Sequence, residues 1–324
     1  MRAFTFLLFL LCACGARTEL GSSEGPPVPC TKPPWVVFDY SVPYRYPAIS
    51  AMRADGSSFH QLDLSGVHGF GPSIAPDSKS MVYLMWINDG FPQQVEGLNV
   101  FDFTTRTNRT LAQSTIGPDN NTGFSLSAIS PNNQLVAYAV DFFEVHIVGL
   151  DGSNDRVLNV DACGPGWQAY GRPVFSPDSS TLYISAFGCL ESIHTDNTAD
   201  TVLESQLTEI DPNPSFSPDH SQFVAQVACG MGELRVFSMN DLPGDPCSAG
   251  TKLVEGDPTM GWNVNHDANA AWGPSNLIAY MNGKDIMLID PSGGAPHNLT
   301  AGITTGSGGV VGNPTWASGC AEIP

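Results

Sequence analysis

A short phrase recurs along this chain, and its recurrence limits the possible folds more than any single residue does. Each copy runs from an apolar segment through a turn resembling Ser-Pro-Asp into a second apolar segment. The turn prolines are 41 to 56 residues apart, which is the spacing of propeller blades. The copies are PSIAPDSKSMVYLM at 72–85, SAISPNNQLVAYAV at 127–140, PVFSPDSSTLYIS at 173–185, PSFSPDHSQFVAQV at 214–227 and AAWGPSNLIAYM at 270–281, with a fragment, NPTWASG, at 313–319.

The residues of the repeated motif are typical of a β-hairpin. Proline fixes φ at the first corner of the turn, and the following Asp or Asn can accept hydrogen bonds from backbone amides two residues on. The segment after the turn is β-branched and aromatic or alternates, as strands do. A third apolar strand follows in several copies, at 98–103, 145–150, 234–239 and 286–289. We therefore predict one four-stranded antiparallel sheet per repeat.

The two ends of the chain are predicted to share a blade. The fragment at 313–319 supplies one strand, and three segments with strand character precede the first full copy, at 35–40, 48–53 and 59–64. Together they complete a sixth sheet, which removes the free edge that an open ring would leave. The predicted fold is all-β: a six-bladed β-propeller whose N- and C-terminal strands share one blade.

The repeated phrase resembles that of the TolB-type propeller family, in which a proline and an aromatic strand lead into Ser-Pro-Asp-Gly and then an Ile-Ala-Tyr strand. The resemblance covers about residues 35–324 and is strongest at 173–185 and 214–227. It weakens where Asn132 replaces the Asp, and where Ser275 and Asn276 shorten the turn.

The TolB family implies a binding role, because its propeller docks a peptidoglycan-associated lipoprotein in a system that links the outer membrane to the cell interior. One departure matters. The family has an α/β domain ahead of its propeller, whereas here only residues 15–34, rich in Gly, Ser, Glu and Pro, lie between Cys14 and residue 35. We therefore expect a TolB-like propeller that lacks the functions of that domain.

The first residues resemble a bacterial lipoprotein signal. An apolar run at 3–11, too short to span a bilayer as a helix, ends in Leu-Cys-Ala-Cys. By this resemblance residues 1–13 are a signal peptide, Cys14 carries the lipid, and residues 14–34 form a flexible tether. An ordinary signal peptide cut nearby is the alternative. Gly15 after the cysteine favours the outer membrane by the lipoprotein sorting rule, with the propeller periplasmic or surface-facing.

The net charge of the protein limits the classes of partner that it can bind. The formal net charge of −19, from 13 basic and 32 acidic residues, argues against binding nucleic acid or anionic lipid through the globular part. We expect a monomer that contacts the membrane only through its lipid and binds a neutral or basic protein or peptide of the cell envelope.

Six further cysteines suggest disulfides in an oxidising compartment. The blade register places Cys30 and Cys320 on one rim of the shared blade, so we predict that they are bonded. Cys163 and Cys189 lie on the opposite rim, where pairing is plausible. Cys229 and Cys247 are left, but a whole strand separates them unless the loop at 241–250 folds back. Buried free thiols are the alternative for all six, and no Cys-x-x-Cys spacing suggests zinc.

No catalytic motif is present: the sequence lacks a Gly-x-Ser-x-Gly elbow, a phosphate-binding loop and a His-Glu-x-x-His helix. We therefore predict a non-enzymatic protein without cofactor or metal. A site can still form at the mouth of a propeller, where the loops that enter the innermost strands converge. Those loops hold the densest polar and aromatic set of the chain: His68, Trp167, Tyr170, Arg172, Asn265, His266 and Asp267.

Each candidate also has a structural interpretation. His266 and Asp267 could bind a ligand or metal, or only bond within their loop. Trp167 and Tyr170 could stack on a sugar or peptide, or cover the end of the core. Arg172 is expected to neutralise nearby carboxylates, with partner contact second.

Three functions follow from these residues. The leading one is an envelope scaffold that docks a protein or peptide. The second is a metal-dependent polysaccharide lyase, since oligogalacturonate lyases use a related propeller with histidine-bound metal. An acidic protein would repel an acidic substrate unless metal offset its charge. The third is a glycan-binding propeller with aromatic platforms.

Overall fold

The computed structural model describes residues 31–324 except 44–45, 65–67, 89–93, 117–122, 125–126, 141–143, 161–170, 187, 199, 208–213, 228, 230–231, 241–244, 256–268 and 306–308. In these residues it shows six four-stranded antiparallel sheets, so the predicted fold is confirmed. Within each sheet the strands run from the innermost to the outermost in the order given below.

Five blades are continuous in sequence, and each is built from four consecutive strands. Blade 1 contains β4 (Gly69–Ile74), β5 (Ser80–Asn88), β6 (Gln94–Asp102) and β7 (Thr107–Ile116); blade 2 contains β8 (Ala128–Ile129), β9 (Leu135–Val140), β10 (Glu144–Gly149) and β11 (Arg156–Leu158). Blade 3 contains β12 (Val174–Phe175), β13 (Thr181–Ala186), β14 (Gly188–His194) and β15 (Asp200–Leu207); blade 4 contains β16 (Ser215–Phe216), β17 (Gln222–Val227), β18 (Glu233–Ser238) and β19 (Thr251–Glu255); blade 5 contains β20 (Ala270–Trp272), β21 (Ile278–Asn282), β22 (Asp285–Ile289) and β23 (His297–Asn298).

Blade 6 closes the ring with strands from both ends of the chain. Its order is β24 (Val310–Ala317), β1 (Trp35–Ser41), β2 (Ala48–Arg53) and β3 (His60–Gln61). The seam is antiparallel, with Trp35 opposite Ala317. The outermost strand is shorter than the predicted segment at 59–64, because the chain leaves the sheet after Gln61 and buries Leu62 and Leu64 in the core instead.

The Ser-Pro-Asp turns adopt the geometry that their sequence favours. In blade 3 the Ser179 amide donates to the Ser176 carbonyl at 2.9 Å, and the Ser180 amide donates to Asp178 Oδ1 at 3.1 Å. The residue after the Asp or Asn takes a positive φ of 55° to 64° in blades 1 to 4. In blade 5 the turn is one residue shorter, since the Gly273 amide bonds to the Leu277 carbonyl. The sequence predicted this shortening.

The core is divided among the six contacts between neighbouring blades. Each blade has two apolar faces because successive strand residues point to opposite sides of the sheet. In β1, Trp35 and Val37 pack with residues of blade 1, whereas Val36 and Phe38 pack with residues of blade 5. Burying one such side chain contributes about 1.5 to 3 kcal/mol. The ring is therefore held by side chains that belong to every blade.

The seam carries an additional clamp at the end where both termini meet. The Arg53 guanidinium lies 3.8 Å from the centre of the Trp35 ring. Its Nη1 donates to the carbonyls of Pro33 at 2.7 Å and Gly319 at 2.5 Å. Trp35 Nε1 donates to the Ala321 carbonyl at 3.1 Å. One arginine thus joins a segment before β1 to a segment after β24.

A short helix, α1 (Ala301–Thr304), lies in the connection from blade 5 to β24. Asp285 ties this connection to the blade, because it accepts hydrogen bonds from the side chains of Asn298, Thr300 and Thr304. In the part of the chain that the structure describes, no helix has the length and apolar character needed to cross a bilayer.

Candidate functional site

The innermost strands of all six blades begin on one face, which we call the mouth face. The five strands that start blades 1 to 5 end in Ser-Pro-Asp-like turns on the opposite face, which we call the turn face. Two predicted mouth residues are described: His68 directly precedes β4 and Arg172 lies two residues before β12. The structure places both at the mouth face. The other predicted mouth residues lie outside the described residues: Trp167, Tyr170, Asn265, His266 and Asp267.

A buried carboxylate that the sequence analysis did not identify organises the mouth. Asp39 interrupts the apolar run of β1 and is only 8% exposed. The Gly71 amide donates to Oδ1 at 2.9 Å and to Oδ2 at 3.2 Å, and Asn313 Nδ2 donates to Oδ2 at 2.6 Å. Burial raises the pKa of Asp39 to about 7, while the hydrogen bonds from Asn313 and Gly71 and the charge of Arg172 lower it. A single side chain thus connects the innermost strands of blades 1 and 6.

Two distortions of the backbone aim these donors at Asp39. Gly71 has φ of 62° and Asn313 has φ of 47°, and both lie where an innermost strand departs from regular register. Glycine adopts such angles without steric cost and Asn tolerates them better than most residues do. The bulges therefore turn the start of each strand toward the carboxylate.

Arg172 brings a third blade into the same cluster. Its Nη2 donates to the Pro72 carbonyl at 3.1 Å, so the side chain reaches from blade 3 to blade 1. Burial lowers the pKa of Arg172 to about 10, and the Coulomb interaction with Asp39 raises it. The guanidinium therefore stays charged at neutral pH and acts directly on the pKa of the carboxyl. Asn269 adds blade 5, because its Nδ2 donates to Asn313 Oδ1 at 2.5 Å.

The residues that surround Asp39 share one position of the repeat. Gly71, Arg172, Asn269 and Asn313 each stand five residues before the turn proline or its equivalent, at positions 76, 177, 274 and 318. Equivalent positions of a propeller lie at the same height on neighbouring innermost strands. These residues could thus have been found from the sequence, but only by aligning the repeats and comparing the residues at this one position. We define the mouth cluster as Asp39, Gly71, Arg172, Asn269 and Asn313.

Exposed aromatic and apolar side chains lie beside the cluster on the same face. Tyr46, in the connection between β1 and β2, is 47% exposed, and its ring centre lies 5.5 Å from that of His68. Val310, the first residue of β24, is 46% exposed. Tyrosine is enriched at protein interfaces because it combines a large apolar ring with a polar tip. The mouth face therefore offers both a polar centre and an apolar rim.

Comparison with solved structures identifies the architecture. TolB from Acinetobacter baumannii superposes with a TM-score of 0.61 at 12% sequence identity, over 88% of this chain and 66% of that one. A chain from a nidogen/laminin complex superposes with a TM-score of 0.60 at 11% identity, over 88% of this chain and 99% of that one. The chain has a TolB-like propeller fold. No protein-family model and no curated protein matches its sequence.

A second buried carboxylate supports the mouth face of this TolB-like propeller. Glu96 of β6 is 4% exposed, and its Oε2 accepts a hydrogen bond from the Phe124 amide at 2.7 Å. Phe124 belongs to the connection that leads into blade 2. Burial raises the pKa of Glu96 to about 7, and the Phe124 hydrogen bond opposes the rise. Glu96 thus anchors a loop of the mouth face and is not available for partner contact.

The structure resolves the pairing that the sequence left open. Cys229 and Cys247 form a disulfide with 5.5 Å between their Cα atoms. Cys229 follows β17 on the mouth face, whereas Cys247 lies in the connection between β18 and β19, which starts on the turn face. That connection therefore folds back along the blade. Cys320 is disulfide-bonded; Cys14, Cys30 and Cys163 lie outside the described residues, and only the backbone of Cys189 is described.

A cleft of about 680 Å³ lies between blades 1 and 2 toward the turn face of the TolB-like propeller. Its charged groups are already engaged. Arg109 donates to the Leu150 carbonyl, Arg156 donates to the Thr195 carbonyl at 2.6 Å, and Asp151 accepts from the amide and hydroxyl of Ser153. We therefore assign the two arginines to blade-to-blade contacts and Asp151 to its own turn. Among the described residues, no group of three or more His, Cys, Asp and Glu side chains could hold a metal ion.

Proposed function

We propose that this protein is a lipid-anchored scaffold of the cell envelope that docks a protein or peptide partner on the mouth face of its propeller. The observation that carries the proposal is the mouth cluster, in which residues from four blades converge on one buried carboxylate. Gly71, Arg172, Asn269 and Asn313 stand at one position of the repeat, and function in a repeat scaffold resides in sites of this kind.

The rim beside the cluster fits a protein partner. Tyr46, His68 and Val310 provide aromatic and apolar area around a polar centre, which is the arrangement of protein interfaces. The net charge of −19 favours a neutral or basic partner. The nidogen/laminin structure shows that a propeller of this architecture occurs in a complex between two proteins. These observations favour docking over catalysis.

The anchor rests on the sequence. The Leu-Cys-Ala-Cys ending of the apolar run supports lipid attachment at Cys14, and the Cys229–Cys247 disulfide supports export. β1 begins with Trp35 opposite Ala317, at the turn face. The described chain therefore enters the propeller at the turn face, opposite the mouth face. An outer-membrane lipoprotein whose mouth is open to envelope partners satisfies all of these constraints.

Docking is tested by crosslinking in intact cells. We expect a specific protein to crosslink to the full-length wild-type chain and to be lost from the double variant Tyr46→Ala with His68→Ala. The matched control is Val157→Ala, which removes an equally exposed apolar side chain, 46% exposed, from the outermost strand of blade 2. A partner captured equally by all three chains would place docking elsewhere, and glycan captured without protein would support the glycan-binding alternative.

The anchor is tested separately by metabolic labelling with a palmitate analogue. Wild-type protein should incorporate the label and fractionate with membranes, and Cys14→Ser should lose both properties. Cys12→Ser is the control, because it leaves the proposed attachment residue in place. Equal labelling of wild type and Cys14→Ser would contradict lipid attachment at this residue.

A further inference from the structure

The side-chain amides of Asn269 and Asn313 form a series of hydrogen bonds in which each amide donates toward Asp39. Asn269 donates through Nδ2 to Asn313 Oδ1, and Asn313 donates through its own Nδ2 to Asp39 Oδ2. An ionised carboxylate can only accept hydrogen bonds, whereas an amide can donate or accept. The direction of both amides is therefore set by the negative charge of Asp39.

Protonation of Asp39 conflicts with this arrangement. A protonated carboxyl group must donate one hydrogen bond, and its two contacts in the cluster, the Gly71 amide and Asn313 Nδ2, are both donors. The Gly71 amide cannot accept. Asn313 can accept if its side-chain amide rotates by half a turn, but its Nδ2 then meets the Nδ2 of Asn269. The conflict is removed only when Asn269 rotates as well.

We propose that one proton on Asp39 reverses both amides and so changes the group that Asn269 presents at the mouth. With Asp39 ionised, Asn269 directs one N–H inward to Asn313. No donor among the described residues contacts its carbonyl oxygen, which can then accept a hydrogen bond from a partner. With Asp39 protonated, Asn269 accepts from Asn313 through that oxygen and presents its NH2 group instead. The mouth thus changes from acceptor to donor without movement of the backbone.

The surroundings of Asp39 place this change near neutral pH. Burial raises the pKa of the carboxyl to about 7. β4 presents the Gly71 amide to it, β24 presents the Asn313 amide, and the connection before β12 brings the charge of Arg172. Among the described residues, Arg172 is the charged side chain whose field acts on Asp39, and it favours the ionised form. A modest change in pH therefore shifts the population between the two states.

The consequence for the partner rests on the proposed function. Above the midpoint the mouth selects a partner group that donates, such as a backbone N–H, an amide or an ammonium. Below it the mouth selects an acceptor, such as a carbonyl. Because a buried polar group without a partner is costly, the wrong state would weaken such a contact by roughly 5- to 150-fold.

NMR of the free, full-length protein tests the reversal without any partner. We would follow the carboxyl carbon of Asp39 and the side-chain NH2 groups of Asn269 and Asn313 from pH 5 to 9. All three should titrate with one midpoint, while the buried amide of Asn99, which donates to the Gly97 carbonyl at 2.9 Å, should stay constant. Asp39→Asn should abolish the pH response of both mouth amides.

Two results would overturn the inference. Asp39 could titrate while the amide of Asn269 stays unchanged, or the amide of Asn269 could respond to pH in the folded Asp39→Asn variant. The wild-type titration decides the question even if that variant does not fold. Since no partner is present, a negative result leaves the docking proposal intact, and loss of docking in the Tyr46 and His68 variant leaves the titration intact.

Discussion

The two faces of the propeller use the same repeat in opposite ways. On the turn face, Asp178 and Asp219 accept hydrogen bonds from residues within two positions in sequence, and those bonds lower the pKa of each to about 2. On the mouth face, Asp39 is buried, its partners lie 32 and 274 positions away, and its pKa is raised to about 7. On the turn face, each carboxylate is therefore hydrogen-bonded within its own turn. On the mouth face, the site around Asp39 combines residues from several blades.

The comparison teaches where specificity can arise in a repeat protein. A carboxylate that is satisfied by its own turn is insensitive to the neighbouring blades. The ionisation and hydrogen bonding of Asp39 are instead affected by residues of three other blades. We therefore expect substitutions at the mouth to affect several blades and substitutions of turn carboxylates such as Asp178 to remain local.

The largest difference should be between Asp39→Ala and Asp178→Ala. Loss of Asp39 leaves the Gly71 amide and Asn313 without their hydrogen-bond partner, so the free energy of unfolding should fall by about 3 kcal/mol. Asp178→Ala removes only exposed bonds within one turn and should cost less. Urea denaturation at pH 5 measures both, because Asp39 is protonated there and the cost of burying its charge does not offset the loss. Equal losses would mean that the two faces do not differ in the way described.

The disulfide provides the next test, because it links the mouth side of blade 4 to a connection from the turn face. Cys229 and Cys247 are separated by 18 positions. Replacing both with Ser should lower the free energy of unfolding by about 3 kcal/mol, from the regained entropy of the unfolded chain. The midpoint of urea denaturation measures the loss. Reduction of the wild type should lower the midpoint at least as far, because it also opens the disulfide of Cys320.

The smallest effect concerns pH, where the two faces should respond with opposite sign. On the turn face, His220 stacks on Phe216 with ring centres 5.3 Å apart, and burial lowers the pKa of the histidine. The folded state then binds a proton less readily than the unfolded state does, so this group costs stability as pH falls below 6.5. Asp39, with its raised pKa, costs stability as pH rises from about 4 to 7.

His220→Asn separates these contributions, since Asn also tolerates the positive φ of 55° found at this position. The variant should be less stable than the wild type at pH 7, because the stacking is lost, and the gap should narrow by pH 5. Thermal unfolding at the two pH values measures the gap. A gap that is constant with pH would show that His220 does not titrate between the folded and unfolded states.

Much of the scaffold could be predicted from the sequence because its physics is local. The proline and Asp of each turn, the shortened turn at Ser275 and Asn276, and the strands that close the ring all follow from short-range patterns. The mouth could be predicted only in outline. The sequence pointed to Arg172 and His68, and the structure places both at the mouth face.

The remainder of the mouth depends on long-range geometry. Asp39 was visible only as a charge within an apolar strand, which has several explanations. Its link to Asn313 required the seam register, and Gly71 required a bulge in a strand that reads as regular. The fold-back of the chain before Cys247 could not be chosen either, because a loop of that length permits more than one path. Each missing element combines contributions from distant parts of the chain.

The seam has a mechanical consequence. β1 begins at the turn face, where a tether would join it, and it is hydrogen-bonded to β24 on one side and β2 on the other. A force between residue 31 and a partner held at the mouth face would run parallel to this strand. The load would then fall on both ladders together in shear, instead of opening them one rung at a time. Such a ring is suited to staying closed under tension.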